Sequence, residues 1–335
     1  MLENKKIVFE KPWEARLETG PFDDCSVPSG HVILKKQYSI ISTGTELACL
    51  SGGESWFKMP GVPGYSCVGE IIKTAPDVQG FSPGDMVFCY GNHSLYEVIP
   101  AEGIFLHAPR DVDPKWIPFV RMASIAATAI RVSNIEWGDI VAVTGQGLVG
   151  NMALQLAKLQ GATVIAVDVA DRRLAVSRNC GADLAINSAN TGAAEEIRRF
   201  SGGRMVSTLI EASGVPAAAA EAVNWVGQNG ELVFLGSPRG AFETDITPFL
   251  NRTHLASFNV TLKGAHEWRF PVNSIPFVKH SLERNSRLVM DLFAKKKIVL
   301  EPLLTEVVSP AGCFDVYTKV RDNKDEYMGI LFDWK

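Results

Sequence analysis

Through the second half of the chain, runs of β-branched and aliphatic residues alternate with alanine-rich stretches whose apolar positions follow a helical period. The runs at 140–144, 163–168, 206–210 and 232–235 predict strands, and the stretches 148–159, 172–180 and 217–226 predict helices. Apolar runs this continuous suit strands buried on both faces, so the alternation predicts an α/β fold with a parallel sheet covered by helices. The pattern is different before about residue 120. There, short apolar runs at 31–41, 68–72 and 86–90 are cut by Pro28, Gly30, Pro60, Gly61, Pro63, Gly64, Pro83 and Gly84, which predicts a compact domain of short strands. After about residue 265 the pattern is mixed again, with a helix expected at 286–295 and a strand at 298–304. The expected domains are therefore residues 1–121, completed by 266–335, and residues 122–265.

Composition narrows the function classes. A chain of 335 residues has room for about two domains, and 46% hydrophobic with 21% charged residues is the balance of a globular protein. Lys and Arg number 33 against 37 Asp and Glu, with no basic tract, so a nucleic-acid partner is not expected. The uncharged stretch 140–157 is interrupted by glycine, glutamine and asparagine, and reads as strand, turn and helix rather than as a membrane span. The N-terminal residues lack the apolar core of a signal peptide. The six cysteines lie at least 18 positions apart, so neither a CxxC site nor a dense disulfide framework is expected, and a reducing cytoplasm fits.

The strongest chemical signal is Gly145-Gln146-Gly147-Leu148-Val149-Gly150. A GxGxxG run alone is weak, but this one follows the strand at 140–144 and opens a helix. Asp168 stands eighteen positions beyond Gly150, at the end of the next strand. Gly145 permits the tight turn, Gly147 lets a pyrophosphate approach the backbone, and Gly150 allows helix and strand to pack closely. The helix start then offers N–H groups to a diphosphate. Asp168 would accept hydrogen bonds from the ribose hydroxyls and repel a 2′-phosphate, so the expected cofactor is NAD; Arg172 and Arg173 beside it leave a phosphate-binding reading open.

With these residues in place, the chain resembles the medium-chain dehydrogenase/reductase family, the zinc alcohol dehydrogenases and their relatives. The likeness runs through Gly138-Asp139-Ile140-Val141, the glycine run, Gly161-Ala162, Val167-Asp168, Arg173-Leu174 and Gly181-Ala182-Asp183. It implies a Rossmann doubly wound parallel sheet domain plus a GroES-like β-barrel domain. By this resemblance Arg173 accompanies the acid in NAD users, Ala212, Ser213, Gly214, Leu235 and Gly236 line the cofactor cleft, and Lys263-Gly264-Ala265 holds the carboxamide. A homodimer or homotetramer is implied as well.

The departures from that pattern concern the metal. Thr43 stands where zinc members carry their first Cys ligand, and Tyr65 and Ser66 replace the His and Glu of the second ligand turn. The third ligand would fall within residues 120–124, which hold no Cys, His, Asp or Glu. The four-cysteine lobe of the structural zinc is missing, because residues 87–93 run almost directly into 95–100. No metal is therefore expected, since zinc takes three protein ligands from His, Cys and carboxylates. The stretches Ser42-Thr43-Gly44-Thr45-Glu46, Gly64-Tyr65-Ser66 and Phe88-Cys89 with His93 resemble a zinc-less branch that includes bacteriochlorophyllide hydroxyethyl dehydrogenase-type proteins. Met328 departs from the Lys or Arg that relatives often carry near the cofactor phosphates.

Hydride transfer to or from an alcohol carbon then needs a side chain to move the proton. The candidates are Thr45, Glu46, Tyr65, His93 and His266, each with a structural alternative: a backbone-bonded Thr, a Glu paired with an Arg such as Arg121, a cavity-filling Tyr, and satisfied histidines. A replacement metal site from Cys89, His93 and Glu46 is the remaining alternative. The resulting expectation is a zinc-independent, NAD-dependent oxidoreductase acting on a secondary alcohol or ketone of a polyol, sugar or secondary metabolite, without nucleic-acid or membrane partners. A zinc-less, NADPH-dependent enone or quinone reductase and a noncatalytic NAD-binding protein are the alternatives.

Overall fold

The computed structural model describes residues 1–335. In chain order its elements are β1 (Leu2–Lys11), β2 (Glu14–Phe22), β3 (His31–Ile41), α1 (Thr43–Leu50), β4 (Cys67–Thr74), β5 (Met86–Cys89), β6 (Tyr96–Pro100), β7 (Phe105–His107) and α2 (Phe119–Val132). Then follow β8 (Ile140–Thr144), α3 (Leu148–Leu159), β9 (Thr163–Asp168), α4 (Asp171–Asn179), β10 (Leu184–Asn187), α5 (Ala193–Phe200), β11 (Val206–Glu211), α6 (Pro216–Ala222), β12 (Val226–Phe234), α7 (Thr247–His254) and β13 (Thr261–Gly264). The chain closes with α8 (Leu282–Ala294), β14 (Leu304–Val308), α9 (Cys313–Asp322) and β15 (Gly329–Asp333).

The alternating half folds as its pattern predicts. Its six strands form one parallel sheet in the order β10-β9-β8-β11-β12-β13, the doubly wound arrangement in which the chain reverses direction between β8 and β11. Val141, Val143, Val164, Ile165, Leu209 and Ile210 are fully buried, as strands covered on both faces require. The register aligns Val167, Thr144, Glu211, Phe234 and Gly264 in one row across five strands. Every loop leaving that row therefore opens on the same edge, where ligands of open α/β sheets bind.

The other sheet is mostly antiparallel, ordered β14-β15-β3-β4-β5-β7, with β6 also paired to β3. β15 pairs antiparallel with β3, Ile330 opposite Ile41, so the end of the chain is built into the sheet begun near its start. The hairpin of β1 and β2 was not apparent from hydrophobic pattern. Only Ile7, Val8 and Phe9 of β1 and Ala15 of β2 are buried, and the alternation on either side carries charged residues on the open face. Helix α2 joins the layers, with Phe119, Met122 and Ala126 in a core shared with Leu154 of α3 and Val289 of α8.

Three boundary expectations are corrected. The strand expected at 298–304 is β14, Leu304–Val308, because Ile298 and Leu300 are buried from a loop and their apolar character serves packing rather than a ladder. The helix expected at 217–226 ends at Ala222; a single 3-10 turn follows, and Val226 already begins β12. The expected C-terminal helix starts earlier, at Leu282, where the Ser281 hydroxyl accepts the Arg284 N–H at 3.1 Å as an N-cap. No helix is long and apolar enough to cross a membrane.

Candidate active site

The glycine run forms a close-fitting turn between β8 and α3. Gly145 has φ +79°, and a Cβ there would lie 2.6 Å from the Ser213 nitrogen. A Cβ on Gly150 would lie 1.8 Å from the Gly145 carbonyl oxygen, so only glycine lets α3 start this close to the strand. Gly147, the residue before α3, faces open space and makes no side-chain cap. Its position leaves the first N–H groups of α3 available to a ligand. Gln146 and Leu148 point inward: the Gln146 amide donates to the Val143 carbonyl at 2.7 Å and accepts from the Ser177 hydroxyl at 2.9 Å, while Leu148 joins the core. Leu148 and Val149, in the first turn of α3, leave their backbone N–H groups to a ligand, whereas the Gln146 N–H is taken by Asp168.

Asp168 ends β9 beside this turn. Its carboxylate accepts the Gln146 N–H at 2.5 Å and the Ala170 N–H at 2.9 Å, which fixes it at the rim of the glycine loop. Arg173 does accompany the acid, with a guanidinium nitrogen 3.9 Å away. The same guanidinium donates to the Lys324 carbonyl at 2.5 Å and lies 3.5 Å from Asp325, so it also ties this corner to the loop before β15.

On the other side of the switch point, Glu211 organises the next loop. Its buried carboxylate accepts the N–H groups of Ser213 at 2.8 Å and Gly214 at 3.2 Å, and also the Ser213 hydroxyl. Burial pushes the Glu211 carboxyl above its ordinary value, and these donors partly offset the rise. Gly214 and Gly236 meet backbone to backbone, a Cβ on either coming within 2.4 Å of the other loop. The N–H groups of Leu235 and Gly236 both bond the Glu211 carbonyl at 2.8 Å, and Ala265 N–H bonds the Phe234 carbonyl at 2.8 Å. Ala212, Ser213, Gly214, Leu235, Gly236 and Ala265 thus gather on the edge that carries the glycine loop. Glu211, at the end of β11, positions them.

The proton-transfer candidates separate into two groups. Thr45 and Tyr65 are both half-buried: the Tyr65 hydroxyl donates to Ser42 Oγ, and Thr45 is among the groups that favour the ionised phenol. Burial pushes the Tyr65 phenol up, against the opposing charge of Arg121, which makes it a proton donor rather than a base at neutral pH.

Glu46 and His93, by contrast, are sealed in the interior. One Glu46 oxygen accepts from His93 Nε2 at 3.0 Å and from the Tyr317 hydroxyl at 2.5 Å, and the other accepts the Ser42 N–H at 2.8 Å. His93 Nδ1 lies 2.7 Å from Ser39 Oγ, which accepts from Trp334 Nε1 at 2.9 Å. The network assigns the His93 proton to Nε2, leaving Nδ1 to accept from Ser39. With side-chain exposures of 2% and 0%, Glu46 and His93 do not open on the cleft, and the expectation that they exchange protons with a substrate is corrected on that ground. His266 lies on the surface directly after Ala265, with no side-chain bond.

Two further alternatives fail on geometry. Arg121 pairs with Glu267 rather than Glu46, and Cys89 lies against Cys67, with sulfurs 3.4 Å apart, rather than with His93 and Glu46. The one group of three or more metal-type side chains with converging ligand atoms is Asp23, Asp24 and Cys25, at the end of the hairpin.

Sequence reading also missed a cluster at the junction of the two sheets. The Arg121 guanidinium lies 4.0 Å from the Tyr65 ring centroid and 3.7 Å from that of Tyr90. It donates to the Tyr65 carbonyl at 2.7 Å and to Glu267 at 2.8 Å, and the Tyr90 hydroxyl donates to the second Glu267 oxygen at 2.7 Å. Sequence pointed to Tyr65 as a candidate and to Arg121 within residues 120–124, but not to their association. Its partners come from positions that share no local motif.

Comparison with known proteins agrees with this architecture. Residues 149–273 match the family model described as zinc-binding dehydrogenase, and residues 28–103 match the alcohol dehydrogenase GroES-like domain. Together the two models cover more than half of the chain, which belongs to the medium-chain dehydrogenase/reductase family of zinc alcohol dehydrogenase-like proteins. D-guloside 3-dehydrogenase of Escherichia coli (strain K12) is 28% identical over 275 residues, spanning 80% of this chain and 77% of that protein. Among solved structures, galactitol-1-phosphate dehydrogenase from Escherichia coli superposes with a TM-score of 0.85 at 19% identity, covering 98% of this chain and 99% of that one. A chain described as a short chain alcohol dehydrogenase from Escherichia coli CFT073 complexed with cofactor NADH superposes with a TM-score of 0.82 at 20% identity, over 99% of both chains. At those identities the two structures speak for the fold.

Proposed function

We propose that this chain is a zinc-independent, NAD(H)-dependent dehydrogenase that interconverts a secondary alcohol and a ketone on a polyol, sugar or related small molecule. The observation that carries the reading is Asp168, anchored by two backbone N–H groups at the rim of a glycine loop whose Gly147 is open to a ligand. A fixed carboxylate there accepts from ribose hydroxyls and repels a 2′-phosphate, which favours NAD over NADP. The name of the guloside relative supports a hydroxyl-rich substrate.

A nicotinamide bound on this edge supplies or accepts the hydride. The side chains manage the remaining proton. In reduction Tyr65 gives its phenolic proton to the reacting oxygen and regains one from solvent through the Ser42 and Thr45 hydroxyls; in oxidation the alcohol proton leaves for solvent along the same hydroxyls, each passing on its own proton as it takes the next.

The donor set does not fit a catalytic zinc. Thr43 and Tyr65 offer hydroxyls where the family's ligands stand, and the third span offers the Arg121 guanidinium, a cation that repels another cation.

The test is a titration of purified protein with NAD, NADH, NADP and NADPH, with metal content measured on the same sample. The expected result is NAD(H) preference without stoichiometric zinc, followed by turnover within a screen of polyols, sugars and their keto forms. Preference for NADPH would move the reading to an enone or quinone reductase. Binding without turnover across the screen would favour a noncatalytic NAD-binding protein, and stoichiometric zinc would overturn the metal-free mechanism.

A further inference from the structure

Arg121 is 7% exposed, yet its hydrogen-bonding capacity is only partly used. A guanidinium carries five N–H groups. One bond goes to the Tyr65 carbonyl and one to Glu267, while Nε has no partner at all. A buried donor left unpaired is destabilising, so this orphan calls for a ligand to complete it. Packing alone does not account for the residue, because a long apolar side chain would fill the space between two tyrosine rings without that penalty.

The cluster's position says what such a ligand would be. Tyr65 lies in the turn before β4, Tyr90 just after β5, and Glu267 in the turn after β13, three residues beyond Gly264. Gly264 closes the row of strand ends that carries the glycine loop, and a Cβ there would meet nothing within 4 Å. Arg121 therefore stands beside the nicotinamide end of the proposed cofactor edge, and the Tyr65 ring stacked on it carries the hydroxyl assigned to proton transfer.

We propose that Arg121 holds the reacting oxygen of the substrate, as the fixed cation of this metal-free cleft; the proposal rests on the dehydrogenase reading above. When a hydride reaches the carbonyl carbon, the electron pair of the C=O bond moves to oxygen. The spare N–H groups of Arg121 meet that charge while Tyr65 delivers the proton that completes the alcohol. Donors aimed at a developing oxyanion contribute about 10²–10³-fold in rate when they are pre-organised. Here Tyr90 and Glu267 supply the organisation, as positioning residues. Glu267 also cancels the permanent charge of Arg121, so the site is matched to a neutral carbonyl or hydroxyl oxygen and not to a carboxylate.

The experiment uses non-reacting probes. Isobutyramide, a neutral carbonyl, and isobutyrate, its carboxylate counterpart, are titrated into the enzyme–NADH complex while the fluorescence of bound NADH is followed. Isobutyramide is expected to bind the wild-type complex more tightly than isobutyrate. R121M should weaken isobutyramide by about tenfold or more and R121K by less, with NADH affinity changed under about twofold in both. E267Q should shift the preference toward isobutyrate. An R121M complex that binds isobutyramide as well as wild type overturns the proposal, as does a wild-type complex that prefers isobutyrate or ignores both probes. If R121M fails to fold, R121Q is read by the same criterion. Failure of the wild-type protein to bind NADH would instead overturn the dinucleotide reading itself, and it is distinguished by the first titration.

Discussion

His93 donates from Nε2 to the Glu46 carboxylate at 3.0 Å, and Tyr317 donates to the same oxygen at 2.5 Å, deep between the mostly antiparallel sheet and α9. Two residues with ordinary acid–base chemistry are thereby committed to holding α1 and the end of the chain together. Each polar atom of the pair has a partner, and removal of either residue strands charged or polar groups away from water.

His93→Ala is accordingly expected to destabilise the fold by about 3 kcal/mol while leaving NADH affinity unchanged. Urea unfolding and NADH titration of the variant check this. A variant of undiminished stability that has lost turnover would return His93 to the list of proton carriers.

Cofactor choice should follow Asp168. Replacing it with Ala removes both the ribose acceptor and the charge facing a 2′-phosphate, so the ratio of NAD to NADP affinity is expected to fall by about tenfold or more, or ~1.4 kcal/mol. Parallel titrations with both dinucleotides measure it. An unchanged ratio would mean that selection lies elsewhere, with Arg173 the first residue to examine.

The glycines of the loop are expected to separate fold from binding. Gly147→Ala places its methyl in open space, so the protein should keep its melting temperature and lose dinucleotide affinity. Gly150→Ala drives a Cβ to 1.8 Å from the Gly145 carbonyl oxygen and should cost stability as well as affinity. Calorimetry with and without NADH distinguishes the two, and a Gly147→Ala protein that binds normally would contradict the assigned pyrophosphate approach.

Glu211 predicts a pH dependence. Its carboxyl sits above the ordinary 4.5 chiefly because it is buried, so just above that pH the folded state keeps a proton that the unfolded state has lost. Its contribution to stability is thus complete below the unfolded value and declines as pH rises through the folded one. Thermal melts from pH 4 to 8 should show this slope in wild type and lose it in Glu211→Gln. Identical slopes in the two proteins would exclude Glu211 as the source.

The repeating half of the fold and the cofactor loop were legible in the amino-acid sequence because their determinants are local. A strand buried on both faces demands a continuous apolar run, and a turn with φ near +79° against a backbone nitrogen demands glycine, wherever the rest of the chain goes. The departures at Thr43, Tyr65 and Ser66 from the family's ligand pattern were legible for the same reason, as residue types at short spacings. The cluster around Arg121 was decided by tertiary structure alone. Tyr65, Tyr90, Arg121 and Glu267 come from separate elements, and only the closure of one sheet against the other brings two phenol rings and a carboxylate around one guanidinium. Packing of α1 and α9 on the antiparallel sheet buried Glu46 and His93. A carboxylate and an imidazole look alike in sequence whether they face water or one another, and burial, which fixes their role, depends on side chains as remote as Tyr317 and Trp334.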